Sequence, residues 1–283
     1  MKNVLIISYY WPPAGGPGVQ RVLKFARYLP EQGWRPIILT VSRGAFPAID
    51  NSLTTEVPDD CVVYRTANPE PDQWYNRLTG ARKDTALPVG VLAKDKQGWK
   101  QRLAFWLRLN LFIPDAKLGW KPFAVHAARK IIKNHRPSVI FSSSPPPTVH
   151  LIARKLSKRY HIPWIADFRD PWTNIHYYQN RRSRLSQWID RRLEQKVVRD
   201  STKAITVSPP FARLIAGNQA DSMHIIPNGF DASDFDDEAP QASAFRLVYV
   251  GGLNANRFYP QVFNTLHTLL QNGTIDARHA ECI

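Results

Sequence analysis

The opening stretch, residues 1–32, limits the possible folds more than any other part of the chain. Val4, Leu5, Ile6 and Ile7 form an unbroken apolar run. A strand that is apolar at consecutive positions is buried on both faces, as in a parallel sheet. The loop after it, Ser8-Tyr9-Tyr10-Trp11-Pro12-Pro13-Ala14-Gly15-Gly16-Pro17-Gly18, combines prolines that fix φ with glycines that admit close backbone approach. Val19, Val22, Leu23, Ala26 and Leu29 then recur at helical spacing, and Gly33 stands where a helix stop is expected. A strand feeding a glycine-rich loop at a helix N-terminus aims backbone N–H groups outward, towards a phosphate or another anion. The alternative is a tight turn with no ligand. A dinucleotide fingerprint would place glycine where this chain has Arg21, so NAD is disfavoured.

The same plan recurs downstream. Strand-length segments at residues 35–41, 61–66, 138–141, 163–166, 204–207 and 224–226 alternate with helical patterns. These patterns run through Trp120, Phe123, Ala127 and Ile131, through Val149, Ile152 and Leu156, and through Leu185, Trp188, Leu193 and Val197. The alternation predicts an α/β fold, a Rossmann-like parallel sheet flanked by helices. Ligands of such sheets bind outside the carboxyl ends of the strands. Three loops come after strands here, at residues 15–18, 142–147 and 167–172, and they are expected to meet in one crevice lined by Gly16, Ser144 and Asp170. The run Ser142-Ser143-Ser144-Pro145-Pro146-Pro147 reads as a second loop-to-helix junction, with hydroxyls and free N–H groups at its mouth.

Composition narrows the function classes. An apolar share of 43% over 283 residues is ample for a packed core. Two distant cysteines give no disulfide framework, which fits a reducing compartment. The first apolar run is too short for a signal peptide, and no stretch reaches the roughly 18 apolar residues of a spanning helix. A cytoplasmic, non-spanning protein is expected. The formal charge of +15 calls for an anionic partner. Residues 74–136 carry fourteen Lys or Arg against three Asp, so the charge is concentrated there. Within them, residues 99–112 interleave Trp99, Phe105 and Trp106 with Lys100, Arg102 and Arg108, a mixture suited to an anionic membrane interface. The competing reading is an ordinary helix packed on the sheet with a basic solvent face. No nucleic-acid motif is present and the aromatics mostly hold core-like positions, so no nucleic acid is expected. The histidines lack metal-ligand spacing, and Asp234-Phe235-Asp236 lies in an acidic stretch, so no metal is expected either.

From Phe230 the chain turns acidic and small (Asp231, Asp234, Asp236, Asp237, Glu238, Pro240), and residues 236–244 have linker composition. Residues 246–250 then read as a strand entering Gly251-Gly252, with Phe263, Leu266 and Leu270 at helical spacing. The expected organisation is a first domain over 1–235, a linker over 236–244, and the start of a second Rossmann-like domain over 245–283. That last piece is too short to bury a core of its own.

Taken together, these stretches resemble family-4 glycosyltransferases of the GT-B fold. The resemblance is carried by Tyr9-Tyr10-Trp11-Pro12-Pro13 with Gly15-Gly16-Pro17-Gly18-Val19-Gln20-Arg21-Val22, by Ile162-Pro163-Trp164-Ile165-Ala166-Asp167-Phe168-Arg169-Asp170-Pro171-Trp172, and by Ile225-Ile226-Pro227-Asn228-Gly229-Phe230-Asp231 followed by Val250-Gly251-Gly252. It implies metal-independent transfer of a sugar from a nucleotide-sugar donor to a glycan or lipid-linked acceptor, in the building of surface or exopolysaccharides. Two positions depart from the family pattern. Arg169-Asp170 stands where many members have His-Asp. Gly251-Gly252-Leu253 with Arg257 stands where many have Gly-Arg-Leu and a later Lys. The resemblance also implies that most of the nucleotide pocket and a glutamate pair lie beyond Ile283. This chain alone is therefore expected to bind an acceptor without appreciable turnover, and the alternative is a non-catalytic binding module.

Asp170 and Arg169, at a strand's carboxyl end beside prolines, are the catalytic candidates. The carboxylate would position an acceptor hydroxyl and the guanidinium would hold a phosphate. The competing reading is an internal ion pair, Asp167 with Arg169 or Asp170 with an arginine, that fixes the loop. Gly15, Gly16, Gly18, Arg21, Ser144, Asp167, Asn228 and Arg257 are the substrate-binding candidates.

Overall fold

The structure, a computed structural model, describes residues 1–44, 46, 48–69, 99–174, 182–235, 245–250, 258–275 and 280–282. They form two compact units, Met1–Gly229 and Phe230–Ile283.

The first unit is built on seven parallel strands: β1 (Lys2–Ser8), β2 (Trp34–Val41), β3 (Val62–Thr66), β4 (Val139–Ser144), β5 (Trp164–Phe168), β6 (Lys203–Thr206) and β7 (His224–Ile225). Their spatial order is β3-β2-β1-β4-β5-β6-β7, so the direction of winding reverses between β1 and β4. That reversal opens a crevice at the carboxyl ends of these two strands. The register sets its floor: Ser8 lies beside Ser143, and Ser143 beside Asp167.

Consecutive apolar residues in β1 serve opposite faces, as its unbroken hydrophobic run predicts. Val4 and Ile6 pack with Val19, Val22, Leu23 and Ala26 of α1 (Pro17–Tyr28). Leu5 and Ile7 join the larger core on the other face, with α3 (Trp120–His135), α4 (Thr148–Tyr160) and Trp164. α1 stops at Tyr28, and Gly33, at φ 76°, ends the short 3-10 turn Pro30–Gln32 rather than α1 itself. The remaining helices are α2 (Trp99–Leu111), α5 (Arg184–Asp200) and α6 (Pro209–Ala216).

Two helices present faces that the apolar periodicity does not predict. α3 buries Trp120, Ala124, Val125, Ala128 and Ile131 and leaves Phe123 exposed, because the small alanines admit close packing on the sheet. In α5 the departure is larger. Its buried residues are Ser186, Asp190, Glu194 and Val197, while Leu185 is 67% and Trp188 52% exposed.

In the second unit, β8 (Phe245–Leu247) pairs in parallel with β9 (Ala280–Cys282), and α7 (Pro260–Gln271) lies between them in the chain. The strand expected over residues 246–250 is thus shorter than its apolar run, and Val248, Tyr249 and Val250 are exposed.

Asp200, at the end of α5, ties that helix to α4. It receives Arg154 Nη2 at 2.6 Å and Lys158 Nζ at 2.7 Å, and Arg199 Nε at 3.0 Å. Burial opposes its ionisation, but hydrogen bonds from Lys158, Arg154 and Arg199 together outweigh it and hold the carboxyl below the usual range. A depressed folded value means that the stabilisation is present above the unfolded value and lost as pH falls below it. Asp200→Asn is expected to lower stability by about 1 kcal/mol at neutral pH. In urea melts the difference from the parent is expected to vanish as pH drops through and below 3.8.

Candidate functional site

The three loops expected to converge do so, and Arg169 is the residue that joins them. Its Nε donates to Ser144 O at 2.9 Å, its Nη2 to Pro145 O at 3.0 Å, and its Nη1 to Gly18 O. Arg169 is 7% exposed, and three of its five N–H donors go to main-chain carbonyls of the other two loops. This is why position 18 is a glycine, since a Cβ there would come within 2.7 Å of Arg169 Nη1. Gly16 has φ +99°, a left-handed value that favours glycine, and its carbonyl accepts from Val19 N. Gly15 turns away, donating its N–H to Ala48 O at 2.9 Å. No side chain caps α1, so its N-terminal turn has no carboxylate of the protein's own.

Asp167 pairs with Arg21, not with Arg169. Arg21 Nη2 and Nε reach its two oxygens at 3.0 and 3.2 Å, and Ser143 Oγ donates at 2.6 Å. The carboxylate is wholly buried, and three charge-assisted bonds hold it. Arg21 Nη1 also reaches Pro227 O at 3.1 Å and Asn228 Oδ1 at 3.2 Å. One arginine therefore joins the glycine-loop helix, the end of β5 and the chain segment that closes the first unit.

The serine run does not offer an open mouth. Ser142 Oγ accepts from Trp164 Nε1 at 2.7 Å and lies 2.8 Å from His150 Nδ1, and Ser143 serves Asp167. His150 is driven down to about 3, by burial first and then by Arg169, and so stays neutral. The N-terminus of α4 is filled from within: Asp115 accepts from Thr148 N at 2.8 Å and Thr148 Oγ1 at 3.0 Å. A helix start inside the fold needs acceptors for its free N–H groups, and the protein supplies its own. Ser144 instead borders a cavity of about 220 Å³, with Tyr10, Arg108, Asp115, Lys117, Asp170 and Trp172 among the other lining residues. Burial raises the Asp170 carboxyl, with Arg169 opposing. Tyr10, Arg108, Asp115 and Lys117 were not among the sequence candidates, because Arg108 to Lys117 enter from the long insertion after β3. Arg257 and Asp236 lie outside the described residues, and among the described residues no His, Cys, Asp and Glu group is arranged to hold a metal ion.

A family model for the glycosyl transferase 4-like domain matches residues 15–229, the span that carries all three loops and Asn228. The chain belongs to the glycosyl transferase 4-like family. No curated protein matches the sequence. Solved structures of similar fold include sucrose-phosphate synthase from Thermosynechococcus elongatus, at 14% identity and TM-score 0.52, over 100% of this chain and 70% of that one. Phytolacca americana UGT2 complexed with UDP-2fluoro-glucose and pterostilbene matches at 11% identity and TM-score 0.50, over 96% of this chain and 64% of that one. At these identities the likeness shows the fold, a Rossmann-like sheet of the GT-B glycosyltransferases.

The segment ending in Trp172 is held by α5. Trp172 Nε1 donates to Asp190 Oδ1 at 2.8 Å, and Thr173 Oγ1 to Glu194 Oε2 at 2.5 Å. Asp190 also pairs with Arg182, which donates to Pro114 O at 2.5 Å. Burial pushes Asp190 up to about 6, with Arg182 opposing, and Glu194 up to about 7, with Thr173 opposing. These carboxylates thus position the wall of the cavity from behind. A larger cavity of about 530 Å³ lies between α5 and α6, but none of the sequence candidates lines it.

Arg21→Met leaves Asp167 buried with no counter-charge and is expected to cost about 3–5 kcal/mol in urea denaturation. Adding Asp167→Asn is expected to restore part of that loss. Glu194 favours its protonated form in the folded state, so stability falls as pH rises from 4.5 to about 7. Glu194→Gln is expected to flatten the fall in melting temperature across that window.

Proposed function

We propose that this chain supplies the acceptor side of an enzyme that transfers a sugar from a nucleotide-sugar to a lipid-linked or polysaccharide acceptor in surface-polysaccharide building, without a metal. The observation that carries the reading is the convergence of three strand-end loops on Arg169 beside a cavity that holds Asp170, Arg108 and Lys117. Asp170 is the catalytic candidate. Its raised carboxyl suits it to take a proton from, or orient, an acceptor hydroxyl at the cavity mouth. Arg169 serves as a positioning residue, since its donors fix the loops that Asp170 and Gly18 stand on. The uncapped start of α1 fits a phosphate group of the donor, and Gly16 and Gly18 keep the backbone there free of Cβ atoms. The nucleotide-sugar analogue in the UGT2 complex supports that donor class for the fold. Arg257, outside the described residues, remains the candidate for a donor diphosphate.

The reading includes peripheral association with an anionic membrane, for which the charge of +15 argues. No helix among the described residues is long and apolar enough to cross a membrane.

The test is a transfer assay over a panel of nucleotide-sugars with lipid-linked and free glycan acceptors, paired with calorimetric binding of each. The chain is expected to bind an acceptor without appreciable transfer, and Asp170→Asn is expected to weaken that binding while the melting temperature holds. Acceptor binding equal to the parent's would remove Asp170 from the acceptor site, and parent transfer that Asp170→Asn abolishes would overturn the expected lack of turnover.

A further inference from the structure

The reversed polarity of α5 has a counterpart in α2. α5 spends its inner face on Ser186, Asp190 and Glu194, which hold Trp172, Thr173 and Arg182, so Leu185 and Trp188 are turned outward. On α2, Leu103, Trp106, Leu107 and Leu111 are exposed at spacings of three, four and eight from the first. That spacing places them along one side of the helix. Buried Leu109 lies off that side, whereas buried Asn110, seven residues from Leu103, lies within it and is covered by the start of α5. The two helices meet end to start: Ser183 N donates to Asn110 Oδ1 at 2.7 Å, and Ser186 Oγ to Asn110 O at 3.2 Å. Leu107 and Leu111 on one helix and Leu185 and Trp188 on the other therefore belong to a single junction. Six large apolar side chains, two of them tryptophans, are thus exposed on two helices that are hydrogen-bonded to each other.

The surroundings of the patch are cationic. Arg184, Arg191, Arg192 and Lys196 are exposed on α5, whose acidic Asp190 and Glu194 face inward. The Arg192 guanidinium lies 4.3 Å from the Trp188 ring centroid. Tryptophan beside arginine, with leucines behind, matches the headgroup level of an anionic bilayer, where the ring straddles the interface and the cations meet lipid phosphates. Arg108, on the same helix as the leucines, lines the cavity that holds Asp170.

We propose that α2 and the first turns of α5 form one docking face for an anionic lipid bilayer, with Leu185 and Trp188 as its second half. This rests on the membrane association in the proposed function and assigns it to a defined surface, next to the cavity mouth. An amphiphilic acceptor lying in that bilayer would reach Asp170 without leaving the lipid.

The experiment is co-sedimentation of the full chain with phosphatidylcholine vesicles, with and without an equal part of phosphatidylglycerol. The variants are Leu185→Glu with Trp188→Glu, and separately Leu107→Glu with Leu111→Glu, with the corresponding alanine pairs if a glutamate pair lowers the melting temperature. The parent is expected to bind the phosphatidylglycerol vesicles and to release with salt. Each pair is expected to weaken partition on the order of tenfold. If only the α2 pair weakens binding, the two-helix face is overturned while membrane association stands. If the parent binds no vesicles, both fall. A parent dimer in sedimentation velocity that Trp188→Glu dissociates would make the face an interface between copies and overturn the proposal. Calorimetric binding of a water-soluble glycan acceptor is expected to be unchanged in every variant, which separates this face from the acceptor-site reading.

Discussion

The guanidinium of Arg169 is the contact on which the rest of the site depends. A parallel sheet brings the ends of β1, β4 and β5 side by side, but it does not fix the loops beyond them. Three bonds from one planar group to Gly18 O, Ser144 O and Pro145 O fix two of those loops against the third. A buried cation in such a place needs several acceptors aimed at it. Carbonyls at the mouth of a sheet are among the few groups that supply them without adding a counter-charge. The Arg21–Asp167 pair underneath acts in the same way on a longer range, joining α1 to β5 and to Asn228. Sequence separations of 146 and 151 residues are thus closed by two arginines.

A second consequence of buried polarity is the orientation of α5. A helix normally gives its leucines and tryptophans to the core. Here the core-facing positions are taken by Asp190 and Glu194, because the loop after β5 presents N–H and O–H donors at Trp172 and Thr173 that need acceptors once buried. The apolar residues Leu185 and Trp188 of α5 are left for the surface. The anchoring of the loop after β5 and the outward turn of Leu185 and Trp188 therefore have one cause.

Arg169-Asp170 is the pair where the resemblance leads us to expect His-Asp, and the structure gives that arginine a place. It holds Gly18 and the serine–proline loop and leaves Asp170 bordering the cavity.

Much of this was legible in the residues. Four apolar residues in a row mark β1 as a strand buried on both faces, and the glycine–proline loop marks the turn from β1 into α1. The spacing of Val19, Val22, Leu23 and Ala26 sets the inner face of α1. These are local consequences of period and backbone freedom, so the sequence determined the α/β class, the order of its elements and the three loops of interest. The partners of polar side chains were decided only by the tertiary structure. Asp167 met Arg21, the serines turned to Trp164, His150 and Asp167, and Asp115 came from the insertion to cap α4. α5 inverted for the same reason. A polar group's partner depends on the groups that the fold brings within about 3 Å once water is excluded, and that distance is set by strand order and register, which no local spacing contains.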